Sequence, residues 1–364
     1  MWEGIKPQTE GGCFFRFWAA ARGLPQQTPY FSGRPICLNI RMLKGAIIGF
    51  ADDAAGSLLP VFSRPGTELA VSAVCEEDPA LLAEAGRLLP GAALYRGLED
   101  FLSKCGSLDF AVVRVPAGKR CKTALRALEN RLHVACETPF CFSTAEFEAL
   151  RAEADKNELV LFSLQPWERS AAWLTVEKAL TGGLLGTLNY AEVQVLERGP
   201  VPAGGVTAAF GWRAFAMLLA VARRPPLALA ARLSPKPADA PSADGTAAFQ
   251  VHFGGADGFV RLACGCHAPL LRVAAHGDKG RLELDDKTLR LNIKDLLPET
   301  VELKRGLSGF QQRADWNAAE LENFRKEIAK ELPRGSGLRN SRYCVKLLRN
   351  ALYSAGVNSA AVPL

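Results

Sequence analysis

The sequence predicts an α/β protein: a doubly wound parallel sheet followed by an α+β domain with a mostly antiparallel sheet. Three observations carry this expectation. Between Leu43 and Leu164 five apolar runs alternate with amphipathic stretches of helical period. Beyond Pro166 that rhythm gives way to consecutive extended runs joined by short turns containing Gly or Asp. Two amphipathic helical stretches then finish the chain.

In order, "GAIIGF", "LAVSAVC", "LDFAVVRV", "LHVACE" and "ELVLFSL" read as strands, being short, apolar and rich in β-branched residues. Between them "PALLAEAGRLL", "LEDFLSKC", "KRCKTALRALEN" and "STAEFEALRAEADK" repeat their apolar residues at helical spacing. Strands separated by helices pair in parallel through right-handed crossovers, which gives a doubly wound sheet. After Pro166 a helix, "AAWLTVEKALTGG", leads to a long strand, "LGTLNYAEVQVLE", and a second helix, "AFGWRAFAMLLAVA". The runs "LALAARL", "AAFQVHF", "GFVRLACG", "LLRVAAHG", "GRLELDD" and "TLRLNI" follow with turns too short for crossovers, so they are antiparallel. The helices "AAELENFRKEIAKEL" and "RYCVKLLRNALYSAG" close the chain, either within the second domain or packed back on the first.

The domain boundaries expected are 42–165 for the parallel domain and 166–364 for the second. Residues 1–41 have no sustained period and carry five basic against two acidic residues, hence +3 of the net +6. They read as an extension outside the fold or as an overlong start before Met42. A targeting peptide is the weaker alternative, because Glu3 and Glu10 spoil its charge pattern.

With 364 residues, 48% hydrophobic and 23% charged, the chain has the make-up of an ordinary globular protein. The basic residues are scattered and lack interleaved aromatics, which argues against nucleic acid as a partner. Ten cysteines at irregular spacing, without a convincing secretory signal, point to reduced thiols and a cytoplasmic location. Cys264, Cys266 and His267 lack the second ligand pair that would close a tetrahedral metal site. The apolar run Phe215–Ala222 is too short for a bilayer, so it reads as a core helix and no membrane partner is expected.

The order of "GAIIGF", "VVRVPAGKRCKTALRALENRLHVACETPF", "ALTGGLLGTLNYAEV", "GWRAFAMLLAV" and "HGDKGRLELD" resembles the glucose-fructose oxidoreductase and inositol dehydrogenase (Gfo/Idh/MocA) family, from Met42 to Leu364. The stretch Val112–Pro139 is the most specific. The resemblance implies a Rossmann-type first domain holding NAD or NADP, a sugar-like or polyol ligand against the second sheet, and a homo-oligomer. It places the cofactor at Gly49, Phe50, Ala51, Asp52, Asp53, Glu76, Val115, Pro116 and Glu137.

Where the family has G-x-G-x-x-G, this chain has Gly49, Phe50, Ala51, Asp52, Asp53 and Ala54, so only the first glycine remains. Ala51 puts a methyl where backbone meets pyrophosphate, costing about 1 kcal/mol if the position is left-handed. An aspartate some 4 Å from a phosphate costs roughly 1 kcal/mol in water and about 4 kcal/mol in a partly buried crevice. One of the two aspartates is also a natural helix cap, and a cap there would occupy the anion site itself. Glu76 ends the second strand, where an acidic side chain accepts from ribose hydroxyls and favours NAD over NADP. Weak cofactor binding, with NAD preferred, is the expectation.

The family's Glu-Lys-Pro is Glu137, Thr138 and Pro139 here, and a threonine hydroxyl is neither charged nor acidic near neutral pH. The family's catalytic histidine aligns with Arg213, which stays protonated and cannot take a hydroxyl proton. Arg213 either binds a ligand carboxylate or phosphate or forms a salt bridge within its domain. None of His133, His252, His267 and His276 substitutes for it. In "QPWERSAAW", Gln165, Trp167, Glu168 and Arg169 are expected to face the cleft, and Glu168 is the one nearby replacement base.

These losses point to a degenerate member, a pseudoenzyme with weak or absent hydride transfer that serves as a ligand-binding or partner subunit. The alternative is an active NAD-dependent dehydrogenase of a sugar, polyol or related substrate using substitute residues. Apolar residues in "LALAARL" and "FVRLACG" are expected to leave an apolar sheet face for a second copy.

Overall fold

The computed structural model describes residues 41–50, 54–235, 243–308 and 313–364. The expected extension 1–41, apart from Arg41, and the turn residues Ala51, Asp52 and Asp53 lie outside these.

Apolar runs separated by helices find no local partner for their backbone amides, so they pair with one another across the crossovers. Strands β1 (Leu43–Ile48), β2 (Leu69–Cys75), β3 (Ala93–Tyr95), β4 (Phe110–Val113), β5 (His133–Glu137) and β6 (Leu161–Leu164) form a six-stranded sheet in the order β3-β2-β1-β4-β5-β6. All its pairings are parallel. Central β4 is buried along its whole length, since helices cover both faces. The short, partly exposed β3 has no apolar alternation and was not read from the sequence.

Two helices in this domain begin where side chains satisfy their free amides. Asp78 accepts from the Ala80 and Leu81 amides ahead of Pro79–Leu88, and Ser143 and Glu146 form a capping box at Thr144–Lys156. The segment after the opening turn is different. It holds two four-residue helices, α1 (Ala54–Ser57) and α2 (Leu59–Phe62), separated at Leu58.

The second sheet has nine strands. In chain order they are β7 (Leu188–Leu196), β8 (Ala228–Pro235), β9 (Asp244–His252), β10 (Asp257–Ala263), β11 (Leu270–Gly277), β12 (Gly280–Asp285), β13 (Thr288–Ile293), β14 (Glu299–Glu302) and β15 (Val362–Pro363). Every pairing is antiparallel except β7 with β10. The helix Gly205–Ala222 lies beneath it and, apart from Arg213, is apolar on almost every side, because all its residues but Ala208, Ala209, Phe210 and Ala220 are buried. It is apolar and long enough to cross a membrane, yet 78% of it is buried within the fold, as a core helix requires.

The sheet's open face corrects one expectation. Leu229, Ala231, Val260 and Leu262 of the two apolar runs point to the helices and are buried. The other face carries Arg272 against Glu283 and Asp285 at 3.4 and 3.2 Å, and Tyr190 donating to Glu192 at 3.0 Å. Alternation assigns one set of residues to each face, and the apolar set is already used by the core.

The helix Ala314–Ile328 packs back on the parallel domain. Its Phe324 is fully buried, with ring centroids 5.9 Å from Phe110 and 5.7 Å from Phe162. The last helix, Ser341–Gly356, stays with the second domain, where the Ser354 hydroxyl accepts from the Ala231 amide at 2.9 Å. Arg41–Leu364 thus form one compact unit.

Candidate active-site cleft

A cavity of about 320 Å³ opens where the ends of β4, β5 and β6 meet the helix Gly205–Ala222. Open parallel sheets place ligands at this carboxyl edge of their strands. Thr138 and Pro139 follow β5 and enter the wall, and Arg213, one turn along its helix from Phe210, enters from the other domain. Thr138, Arg213 and Glu137 are therefore brought together, as the sequence positions implied.

Glu137 is held by two guanidiniums. Arg114 Nε lies 2.6 Å from one carboxylate oxygen and Arg120 Nη2 lies 2.8 Å from the other. Arg120 also donates to the Val115 and Pro139 carbonyls at 2.8 and 3.2 Å, tying the ends of β4 and β5 together. Both arginine side chains are buried, with 9% and 13% exposure. Charge-assisted bonds of this kind are short and directional, so they fix the carboxylate in place. Glu137 is the only carboxylate among the described residues of the wall, and no histidine is among them.

Arg213 is 9% exposed and pairs with Glu197 at 3.4 Å, with its guanidinium carbon 5.7 Å from the Phe210 ring centroid. Burial lowers its pKa to about 10, with Glu197 opposing the shift. It remains a cation at neutral pH. The salt bridge weighed in the sequence thus exists, and the same side chain still borders the cavity. Beside it Trp212 is buried, and its indole N–H has no hydrogen-bond partner.

Glu168 is placed elsewhere. It lines a second cavity with Glu320, accepting from Arg169 at 3.1 Å and from the Gln165 amide group at 3.3 Å. Trp167 borders the first cavity only, Arg169 the second only, and Gln165 both. The expectation that all four face one cleft fails because the 3-10 turn Pro166–Arg169 sends successive side chains to opposite sides.

At the cofactor end, Gly49 has φ +91°, and a Cβ there would stand 2.7 Å from the Val115 nitrogen, so glycine is required by the approach of β1 and β4. The buried Phe50 donates its amide to Glu76 at 2.6 Å, and the other Glu76 oxygen accepts from the Asp78 amide at 2.8 Å. Both carboxylate oxygens of Glu76, the residue expected to meet the ribose, are thus engaged by backbone amides. Val115 and exposed Pro116 lead into the helix Ala117–Glu129 at the strand edge. The fit to a dinucleotide is partial. A four-residue α1 offers its pyrophosphate little of the dipole and few of the free amides that a full helix supplies.

Residues 43–164 match the model of an oxidoreductase family with an NAD-binding Rossmann fold. The Rossmann domain, about a third of the chain, is thus similar to the Gfo/Idh/MocA oxidoreductases. Solved structures agree on the fold of the whole. An Agrobacterium radiobacter oxidoreductase in complex with NAD+, L-tartaric acid and magnesium superposes with a TM-score of 0.76 at 14% identity, covering 88% of this chain and 98% of its own. The aldose-aldose oxidoreductase of Caulobacter crescentus, complexed with glycerol, gives 0.74 at 19% identity, covering 89% and 100%. The WlbA dehydrogenase of Bordetella pertussis, with NADH and UDP-GlcNAcA, gives 0.73 at 17%, covering 89% and 98%. No curated protein matches the sequence at a significant level.

The cleft also holds residues that the sequence did not point to. Arg114, Arg120, Glu197 and Trp212 were not singled out. Only Arg114 carried a signal, as a charge inside the apolar run "FAVVRV".

Proposed function

We propose that this chain is a degenerate oxidoreductase-family protein that binds a small hydroxylated acid in the cleft without appreciable hydride transfer, acting as a ligand-binding or partner subunit. The observation that carries this reading is the pairing state of the cavity wall: its one carboxylate is clamped by Arg114 and Arg120, and Arg213 occupies the position of the proton acceptor. A carbinol gives up hydride efficiently only when its hydroxyl proton is accepted, and none of these groups is free to accept it. The wall is rich in donors instead. Arg114, Arg120, Arg213 and the Trp212 indole favour a carboxylate, and Thr138 a hydroxyl. The tartaric acid in the Agrobacterium structure is a molecule of this class.

Binding of NAD is proposed to be weak, supported by the shortened α1 and by Ala51, Asp52 and Asp53 in the preceding turn. The proposed homo-oligomer pairs the open faces of the second sheets, where Tyr190 and Phe259 stand 5.5 Å apart amid ion pairs. The deciding experiment titrates the protein with tartrate and with uncharged polyols by calorimetry and assays both for NAD(P)-dependent turnover. Binding of tartrate without turnover supports the proposal. Robust turnover rejects it in favour of an active dehydrogenase with substitute catalytic residues.

A further inference from the structure

The second cavity, about 780 Å³, lies on the far side of the Pro166–Arg169 turn from the cleft, between β6 and the helix Ala314–Ile328. Its floor is poor in cations. Glu168 and Glu320 share the single guanidinium of Arg169, at 3.1 and 2.8 Å, and Glu320 takes only one further donor, the Gln165 amide at 3.1 Å. Glu320 is 2% exposed. Two residues that line the same space, Gln165 and Ser163, 4% and 1% exposed, each hold a buried oxygen with no hydrogen-bond partner, the Gln165 side-chain carbonyl and the Ser163 hydroxyl. A carbonyl can only accept, and buried acceptors are normally satisfied. The mouth is different in character, with exposed Arg223 and Arg339 opposed by the exposed Glu177.

From this arrangement we propose that the cavity is a second binding site, for a small zwitterion of the amino-acid type. Its ammonium group enters the floor between Glu168, Glu320 and the Gln165 carbonyl, and its carboxylate faces the arginines of the mouth. An ammonium brings three donors and one positive charge. That matches a floor with two carboxylates, one guanidinium and unsatisfied acceptors. Burial raises the pKa of both carboxyl groups, helped by the Glu177 charge at Glu168 and by the Glu168 charge at Glu320, and an added cation offsets those like charges. No group of three or more His, Cys, Asp or Glu with metal-holding geometry occurs among the described residues, so an organic cation fits better than a metal ion. The site shares only Gln165 with the cleft and does not depend on the reading proposed for it.

The full chain is titrated with 4-aminobutyrate and 6-aminohexanoate, using butyrate and butylamine as probes lacking one charge each, and followed by thermal shift and calorimetry. At least one amino acid should bind, each single-charge probe at least about tenfold more weakly, and Glu168→Gln and Arg339→Ala should each weaken binding about tenfold. Arg339 is exposed, so its variant remains informative if Glu168→Gln misfolds. Butyrate binding as well as the amino acids would make this an anion site and overturn the proposal. So would binding unaffected in Arg339→Ala, or no binding of either amino acid, in which case water satisfies Gln165 and Ser163.

Discussion

The Arg213 guanidinium stands 3.4 Å from the Glu197 carboxylate, in a wall where dehydrogenation would need a proton acceptor. The pair puts a permanent cation at that place and anchors it from the neighbouring strand end. Wild-type protein is accordingly expected to show no appreciable turnover of sugars or polyols with NAD or NADP. Thr138→Lys alone should change little, because the proton still has no acceptor. Combined with Arg213→His, which Glu197 can orient, the gain should exceed the sum of the single effects, since groups acting in one step are not additive. A panel assay monitored at the nicotinamide absorbance checks this.

Glu137→Gln leaves the guanidiniums of Arg114 and Arg120 facing a neutral amide while buried. Breaking one partner of a buried ion cluster is costly, and a loss of about 3 kcal/mol is expected. Urea unfolding measures it. An unchanged midpoint would mean that the two arginines relax into solvent and that the clamp is not structural.

Stability of the ligand-free protein should fall as pH rises above the ordinary carboxylate range. Burial first, and Glu168 second, raise the Glu320 carboxyl to about 8, so the folded state holds its proton more tightly than the unfolded chain does. The contribution is complete below the unfolded pKa and is lost as pH approaches the folded one. Denaturant unfolding should show a decline on the order of 4 kcal/mol from about pH 5 to about pH 8, flattened in Glu320→Gln. Equal slopes in the two proteins would rule out Glu320 as the source.

Replacing Ala51 with Gly and both Asp52 and Asp53 with Asn removes a methyl and two charges from the expected phosphate turn. NAD affinity should rise roughly tenfold or more, since relief of even one such carboxylate is worth about 1–4 kcal/mol. Tight binding of NAD by the unaltered protein, measured by calorimetry, would show that the pyrophosphate takes another path.

Much of the fold was legible in the sequence because strand and helix periods are local. "LDFAVVRV" is apolar at every step of β4, and a strand buried on both faces demands helices on both sides. By the same logic Gly49 could be placed from the end of "GAIIGF", and the close approach at Val115 explains why it is glycine. The three-residue β3 left no such trace, being too short and too exposed to carry a period.

By itself, then, the sequence determined the two-sheet architecture and the chemistry available at positions 138 and 213. A threonine and an arginine keep their hydrogen-bonding character wherever the chain places them. Tertiary structure alone decided what surrounds them. Arg114 and Arg120 converge on Glu137 from a strand end and a helix, Glu320 reaches Arg169 from a helix near the end of the chain, and one 3-10 turn sends Trp167 and Glu168 into different cavities. The physical reason is that periodicity reports which face of an element is buried, whereas partnership between charged groups depends on where separate elements cross.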